Sequence, residues 1–407
     1  MSYELLSKCF YKLPREQYET ECQARKNSVS AVSLPIKINK NESFYVCTNE
    51  LMLLQESIYK GNLELTKKAQ SFHGIALEFC IKKCIIDEVN TTNDIEGVYS
   101  TRKELNEIYE NIKPMASKNK FKGLVDKYKL LMSHDNIFSI NSCEDIRSLY
   151  DDIVSAEIDL NDQPDGKIFR KGDVFVSNGI KDVHNGVSGE NNVAEHMNLV
   201  IDIMHDTQIP LMIRTALCHY YIGYIHPFYN GNGRLSRFIA SYMLRGEMNI
   251  LLPYRLAYII HQNKRKYYKA FDICNDVRNH GDLTHFVLMF CNIINEALAN
   301  LNSIADNALD KINHYVGQLE KIFDENEQNE KTISGILIQN SLFENFGLNI
   351  SSLSYHSELS QSTVRNTMKK LAGKLNKNGT ILEIHKQLHS NIYSVDLDML
   401  DELLNTL

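Results

Sequence analysis

The run from His226 to Arg237 combines residue types that could bind and activate a phosphate ester. It reads His-Pro-Phe-Tyr-Asn-Gly-Asn-Gly-Arg-Leu-Ser-Arg and lies between two strongly helical segments. Gly231 and Gly233 allow the backbone to adopt a positive φ and to approach a ligand closely. A glycine-rich turn that opens a helix points unpaired N–H groups outward and, helped by the helix dipole, forms an anion site.

Charged side chains around this turn extend the same chemistry. Arg234 and Arg237 lie three positions apart on the predicted helix, so they share a face. Two guanidinium groups beside a nest of N–H groups suit a polyphosphate. His226, whose ordinary pKa lies near neutrality, is suited to accept the proton of an attacking hydroxyl. The alternative is a helix–loop–helix corner with surface arginines, but the combination within twelve residues favours a phosphate site.

This run resembles the signature of the Fic family, His-x-Phe-x-Asp/Glu-Gly-Asn-Gly-Arg-x-x-Arg. The resemblance implies a mainly α-helical bundle with a small β-hairpin flap. It also implies an enzyme that transfers AMP from ATP to a Ser, Thr or Tyr hydroxyl of a target protein, with His226 as the general base. The residues that it assigns to the nucleotide phosphates are Gly231, Asn232, Gly233, Arg234 on the β-phosphate and Arg237 on the γ-phosphate.

Two further segments fit the same family. The stretch His-Gln-Asn-Lys-Arg-Lys-Tyr-Tyr at 261–268 resembles the later helix of the family, in which Asn263 would approach the adenine. Residues 164–185 carry a hairpin pattern, with glycines around Lys-Ile-Phe-Arg and Asp-Val-Phe-Val-Ser. The part near 171–179 resembles the flap that pairs with a target segment by strand addition. A purely structural hairpin remains the alternative.

A possible inhibitory element lies upstream, where Thr92-Asn93-Asp94-Ile95-Glu96-Gly97 fits the family pattern Ser/Thr-x-x-x-Glu-Gly/Asn. In such members the Glu pairs with the second Arg of the motif. Here the resemblance implies that Glu96 pairs with Arg237 and withholds it from the γ-phosphate, with Thr92 in the same regulatory element. The alternative for Glu96 is a solvated carboxylate at a helix end.

One position departs from the family signature. Asn230 stands where the family has an acidic residue that binds Mg²⁺. An amide oxygen can still coordinate Mg²⁺ or Mn²⁺, but it brings no net charge, so we expect weaker metal binding. The substitution keeps two other functions open: a DNA-binding regulator whose Fic core senses nucleotide, and a de-adenylylating hydrolase in which Glu96 positions water.

The elements that must position this site divide the chain into four predicted parts. We predict an N-terminal helical region over 1–70 and a Fic domain over 71–300. A connecting helix and linker follow over 301–330, and a winged helix-turn-helix domain over 331–407. The third helix of the last part, Thr363–Leu375, has a basic side formed by Arg365, Lys369, Lys370, Lys374 and Lys377. This side suits the major groove of DNA, although winged helices also bind proteins.

Composition sets the remaining limits. The chain has 407 residues, a net charge of −7 and 43% hydrophobic residues, which is typical of a globular protein and argues against affinity of the whole chain for nucleic acid. No stretch approaches the roughly 18 uninterrupted apolar residues of a membrane span. Nine scattered cysteines predict reduced thiols in a cytoplasmic protein. A homo-oligomer is neither indicated nor excluded.

Overall fold

The computed structural model describes residues 3–72, 75–110, 120–132, 138–159, 162–177, 182–343, 346–376, 381–387 and 390–404. The helices are α1 (Leu6–Lys12), α2 (Arg15–Lys26), α3 (Asn49–Gln70), α4 (Ala76–Ile95), α5 (Arg102–Tyr109), α6 (Lys122–Leu130), α7 (Cys143–Ile153), α8 (Glu190–His205), α9 (Leu211–Ile225), α10 (Asn232–Leu244), α11 (Leu256–Gln262), α12 (Lys264–Asn275), α13 (Thr284–Ile322), α14 (Gln328–Phe343), α15 (Ile350–Ser357), α16 (Gln361–Leu375) and α17 (Leu397–Leu404). The strands are β1 (Ala31–Ile38), β2 (Asn41–Val46), β3 (Phe175–Ser177), β4 (Asp182–Asn185), β5 (Leu348–Asn349), β6 (Leu382–Gln387) and β7 (Ser390–Val395). The predicted mainly α architecture is confirmed.

The chain folds into two compact units. The first comprises Met1–Leu63 and Ile85–Asn300, and the second comprises Glu64–Cys84 and Leu301–Leu407. The candidate site lies in the first unit. There α9 is buried on nearly every side and packs against α8 and α10. A helix that is apolar all round belongs in a protein core, and this one fixes the start of the motif loop.

The N-terminal region contains a hairpin that the sequence analysis did not predict. Strands β1 and β2 pair antiparallel, with Ile38 opposite Asn41. The two turn residues, Asn39 and Lys40, both adopt a positive φ, 48° and 72°. A two-residue turn of this kind matches the twist of paired strands. The prediction that 1–70 is only helical was therefore wrong over this segment.

The hairpin predicted over 164–185 is present but shorter. Strand β3 pairs antiparallel with β4, with Phe175 opposite Asn185. The Lys-Ile-Phe-Arg stretch, 167–170, is not a strand, because its main chain bonds elsewhere: the N–H groups of Ile168 and Phe169 donate to the Glu190 carboxylate. Residues 178–181, which include the end of the flap predicted near 171–179, lie outside the described residues.

Helix α13 is one continuous helix, whereas the sequence pattern predicts one helix over 282–300 and a second over 301–325. It has the length and apolar composition of a membrane span, and 56% of its most apolar 18-residue window is buried within the protein. A core helix passes the same test of length and composition.

The second unit ends in a small α+β arrangement. Its elements follow the order α14, β5, α15, α16, β6, β7 and α17, and the strands form an antiparallel sheet in the order β5-β7-β6. Ser360 caps α16 by accepting the N–H of Thr363. The assignment of this segment as a winged helix stays a prediction, and Lys377 lies outside the described residues.

Candidate active site

The motif loop is held between the end of α9 and the start of α10. His226 directly follows α9 and adopts a left-handed backbone, with φ 55° and ψ 65°. Gly231 precedes α10 and has φ 77°. It offers no side chain to cap the helix, so the N–H groups of the first turn point toward the loop without an intrahelical acceptor. The sequence predicts an anion site at this helix start, and its binding of phosphate stays a prediction.

One aromatic stacking contact and two hydrogen bonds of an amide side chain fix the shape of this loop. Phe228 is fully buried and stacks on Tyr150 of α7, with ring centroids 3.7 Å apart. The Asn232 side chain bonds both main-chain groups of Phe228: Oδ1 accepts the N–H at 3.0 Å and Nδ2 donates to the carbonyl at 2.8 Å. The polar atoms of Asn232 thus close the loop on itself. Its predicted contact with phosphate stays a prediction.

Both glycines of the loop have close neighbours. A Cβ on Gly231 would lie 2.3 Å from a methyl of Val154, and a Cβ on Gly233 would lie 2.2 Å from Oε1 of Glu96. Gly233 therefore has the Glu96 carboxylate directly against it. The acidic side chain lies over the same helix start that the sequence assigned to phosphates.

Arg237 is enclosed by the end of α4. Its Nη2 donates to Oε1 of Glu96 at 2.7 Å, and its Nε donates to the hydroxyl of Thr92 at 2.6 Å. A second bond joins Nη2 to the Thr92 carbonyl at 3.2 Å. The Arg237 side chain is only 1% exposed, whereas that of Glu96 is 22% exposed. The structure brings together the three residues that the inhibitory pattern singled out.

The charges at this contact support an ionised pair. Burial alone would raise the pKa of Glu96, but the charge and hydrogen bond of Arg237 outweigh it and lower the pKa. Arg234 and His226 act in the same direction more weakly, which places these groups around one carboxylate. The Arg237 pKa is correspondingly raised, with the Glu96 charge outweighing burial.

Arg234 has a buried partner that the sequence analysis missed. Its Nη1 donates to Oε2 of Glu157 at 2.5 Å, and the two side chains are only 2% and 3% exposed. Glu157 ends the short 3-10 helix Ser155–Glu157 that follows α7. No family pattern or local spacing in the sequence marks this carboxylate.

Arg170 is a second residue that the sequence analysis missed. It is fully buried, and its guanidinium donates to four main-chain carbonyls. Nε bonds His226 at 2.8 Å, Nη1 bonds Gly172 at 2.6 Å, and Nη2 bonds Val187 at 2.7 Å and Ile225 at 3.2 Å. Arg170 therefore joins the base of the β3–β4 hairpin to the backbone of His226.

Asn230 and Asn263 occupy different settings. Asn230 is exposed, and its Oδ1 accepts the N–H of Gly231 at 2.7 Å. Among the described residues there is no group of three or more His, Cys, Asp or Glu that could hold a metal ion. Asn263 follows α11 and donates to Glu296 at 2.6 Å and to Ile259, contacts that tie it to helices.

Comparisons with known proteins find a similar family model and similar structures. Residues 141–244 match the family model described as Fic/DOC family. A Fic family protein from Desulfovibrio desulfuricans G20 has a similar structure, with a TM-score of 0.51 and 16% identity over 86% of this chain and 97% of that one. Fic-1 from C. elegans gives a TM-score of 0.45 and 18% identity over 63% and 74% of the two chains. A search of curated proteins finds no match.

Proposed function

We propose that this protein is a protein adenylyltransferase. Residues 141–244 match the Fic/DOC family model, and members of this family generally carry out AMPylation or nucleotidyl transfer. The protein uses ATP to place AMP on a Ser, Thr or Tyr hydroxyl of a target protein. The observation that carries the proposal is the motif loop itself. Arg237 bonds the Glu96 carboxylate, the helix start at Gly233 lies against the same carboxylate, and the charges of Arg234 and His226 help to lower its pKa.

The transfer follows from the roles of these groups. The target hydroxyl oxygen attacks the α-phosphorus, the bond between this phosphorus and the bridging oxygen of pyrophosphate breaks, and pyrophosphate leaves with that electron pair. His226 accepts the hydroxyl proton. The first-turn N–H groups of α10, with Arg234 and Arg237, stabilise the negative charge on the polyphosphate. Most of the catalytic effect is therefore positioning and charge stabilisation.

A divalent cation fits this scheme as part of the nucleotide. Bound Mg²⁺ or Mn²⁺ would neutralise phosphate oxygens and help pyrophosphate to leave. Asn230 offers one amide oxygen toward it, without the negative charge of the family's acidic residue. We therefore expect the protein to contribute little to the affinity for the metal, and the nucleotide phosphates to contribute most of it.

The proposal includes autoinhibition by Glu96. The side chain pairs with Arg237 and rests against Gly233, so the γ-phosphate would meet a carboxylate where it needs a guanidinium. Repulsion between two anions and the loss of one charge-assisted hydrogen bond both disfavour productive binding. Removing the Glu96 carboxylate should therefore activate the enzyme.

The test is incubation of the full chain with ATP labelled on the α-phosphate, together with Mg²⁺ or Mn²⁺ and a cell extract as the source of target. Label on protein should rise in Glu96→Gly and disappear in Glu96→Gly combined with His226→Ala. Equal label in both variants would show that His226 is not the base. Binding of ATP without label in any variant would replace the proposal with a nucleotide-sensing regulator. Release of AMP from labelled protein that depends on Glu96 would indicate a hydrolase.

A second function, DNA binding by α16, is favoured by one observation. The exposed face of this helix carries side chains that read base edges and contact phosphates: Gln361, Ser362, Arg365, Asn366 and Lys369. This face borders a groove of about 780 Å³ that also involves β6 and β7. Two lysines of the predicted basic side instead form ion pairs within the protein: Lys370 pairs with Glu330, and Lys374 pairs with Glu327.

DNA binding is tested by selecting from random duplexes with the full chain. Arg365→Ala should weaken binding to a selected site and relax its sequence preference, because arginine reads guanine in the major groove. Lys321→Ala, on α13, serves as a control with the same change in charge. Enrichment of no sequence would remove DNA from the list of partners and leave a target protein as the candidate for this face.

A further inference from the structure

A buried ion pair between Arg234 and Glu157 lies in the site. The pair joins Nη1 of the arginine to Oε2 of the glutamate. The second carboxylate oxygen, Oε1, is buried and has no hydrogen-bond partner among the described residues, and the same holds for Nε of Arg234. The pair is thus held by one contact, with polar atoms left unsatisfied on both sides. Such an arrangement is costly in a protein interior unless another group completes it.

The elements around the pair hold the carboxylate in place. Tyr150 of α7 stacks on Phe228 of the loop, and Val154 packs against Gly231. Glu157 follows three residues later, in the 3-10 turn. The end of α7 is therefore packed on the motif loop, and the position of Glu157 relative to Arg234 is set by this packing.

The carboxylate is poorly stabilised by its surroundings. Burial raises the pKa of Glu157, and the charge and hydrogen bond of Arg234 only partly oppose this effect. Glu96 differs, because Arg237 lowers its pKa overall. An anion with more than one oxygen, such as a phosphate, could accept from Nε of Arg234, which the Glu157 contact leaves without a partner among the described residues.

We propose that Glu157 is a specificity-determining residue of the nucleotide site, whose carboxylate occupies Arg234 and must yield it to the β-phosphate. This inference rests on the proposed function, since it takes Arg234 as the ligand of that phosphate. Each motif arginine then has its own competing carboxylate: Glu157 for Arg234 and Glu96 for Arg237. AMP has neither a β- nor a γ-phosphate and competes with neither carboxylate. ADP has a β-phosphate and competes with Glu157, and ATP competes with both Glu157 and Glu96.

The test is a calorimetric titration of the full chain with AMP, with ADP and with an ATP analogue that has a methylene between its α- and β-phosphates. Glu157→Gln removes the charge but keeps an oxygen that can accept from Arg234. It should strengthen ADP and analogue binding roughly tenfold, the equivalent of one charge-assisted hydrogen bond, and leave AMP within about twofold. Glu96→Gln should strengthen only the analogue.

The matched control is Asp151→Asn, which removes the same charge from the exposed face of α7, where Asp151 pairs with Arg147. It should leave all three affinities unchanged, and thermal unfolding should show that each variant is folded. ADP affinity that stays the same or falls in folded Glu157→Gln would overturn the proposal, as would an equal gain for AMP. The expected nucleotide pattern without any transfer of label would uphold Glu157 and reject the adenylyltransferase.

Discussion

Replacing Arg170 should separate catalysis from nucleotide binding. Its guanidinium satisfies four buried carbonyls, two at the end of α9 and two at the hairpin base. In Arg170→Met three of these oxygens lose their donor, whereas the Ile225 carbonyl keeps the N–H of Val187. At about 1 kcal/mol for each orphaned acceptor, the loss in unfolding free energy reaches about 3 kcal/mol. Arg170→Lys keeps the charge, but its three N–H donors all lie on one nitrogen and cannot reach every carbonyl. We therefore expect a loss of about 2 kcal/mol in unfolding free energy.

The same contacts bear on catalysis through His226. A left-handed backbone costs a residue with a side chain about 1–2 kcal/mol, so the φ of 55° at His226 has to be enforced by its surroundings. Without the Nε bond to its carbonyl, the residue can relax and move the imidazole. Transfer should fall roughly 10- to 100-fold, as expected for a misplaced general base. ADP affinity should stay within a few-fold, because the proposed phosphate contacts lie on α10 and not on His226.

The assay combines urea unfolding, ADP titration and transfer of α-label, with Arg170→Lys measured in the Glu96→Gly background. Arg147→Lys is the control, since Arg147 also donates to a main-chain carbonyl, that of Ile168, but is partly exposed. It should lose little stability and no activity. Equal losses of ADP affinity and transfer in folded Arg170→Lys would refute the positioning of His226, and unchanged stability would refute the energetic argument.

Three further predictions follow from single contacts. Burial raises the pKa of Glu88 from 4.5 to about 7, so only the unfolded chain releases this proton between these pH values, and wild-type stability should fall as the pH rises. Thermal unfolding at pH 5 and pH 8 should show that Glu88→Gln gains up to about 3 kcal/mol of stability relative to the wild type. A stability difference between the two proteins that is the same at both pH values would contradict this prediction. Gly231→Ala should lose about 2 kcal/mol or more in urea unfolding, because of its φ of 77° and the Val154 contact; a loss near zero would contradict the strain. Asn230→Asp should lower the Mg²⁺ concentration that half-saturates transfer, and an unchanged value would place the cation elsewhere.

The site residues that could be predicted are those that lie close together in the sequence. His226 to Arg237 is one continuous run, so its loop, helix start and arginines could be located before the fold was known. Glu96 could be linked to Arg237 only through the inhibitory family pattern, and the 2.7 Å contact agrees with that link. Glu157 and Arg170 had no such signal. One pairs with a distant arginine and the other binds main-chain carbonyls, which leave no trace in residue types.

The same distinction holds for the fold. The sequence predicts helices over 192–206, 209–223 and 233–245, and α8, α9 and α10 begin and end within two residues of these bounds. The β1–β2 hairpin was missed because its turn is Asn39-Lys40, without the glycine that usually marks a two-residue turn. Helix α13 was divided near residue 300, although Ala-Asn-Leu-Asn at 299–302 contains no proline or glycine that would end a helix.

The central claim, transfer of AMP, is tested most directly by comparing two labels of ATP in the Glu96→Gly variant. Adenylyl transfer leaves the α-phosphate on the target protein and releases the γ-phosphate in pyrophosphate. We therefore predict protein that carries label from α-labelled ATP and none from γ-labelled ATP, with both outcomes lost on adding His226→Ala. Label from the γ-phosphate would instead show phosphoryl transfer and contradict the account, as would the absence of label from either nucleotide.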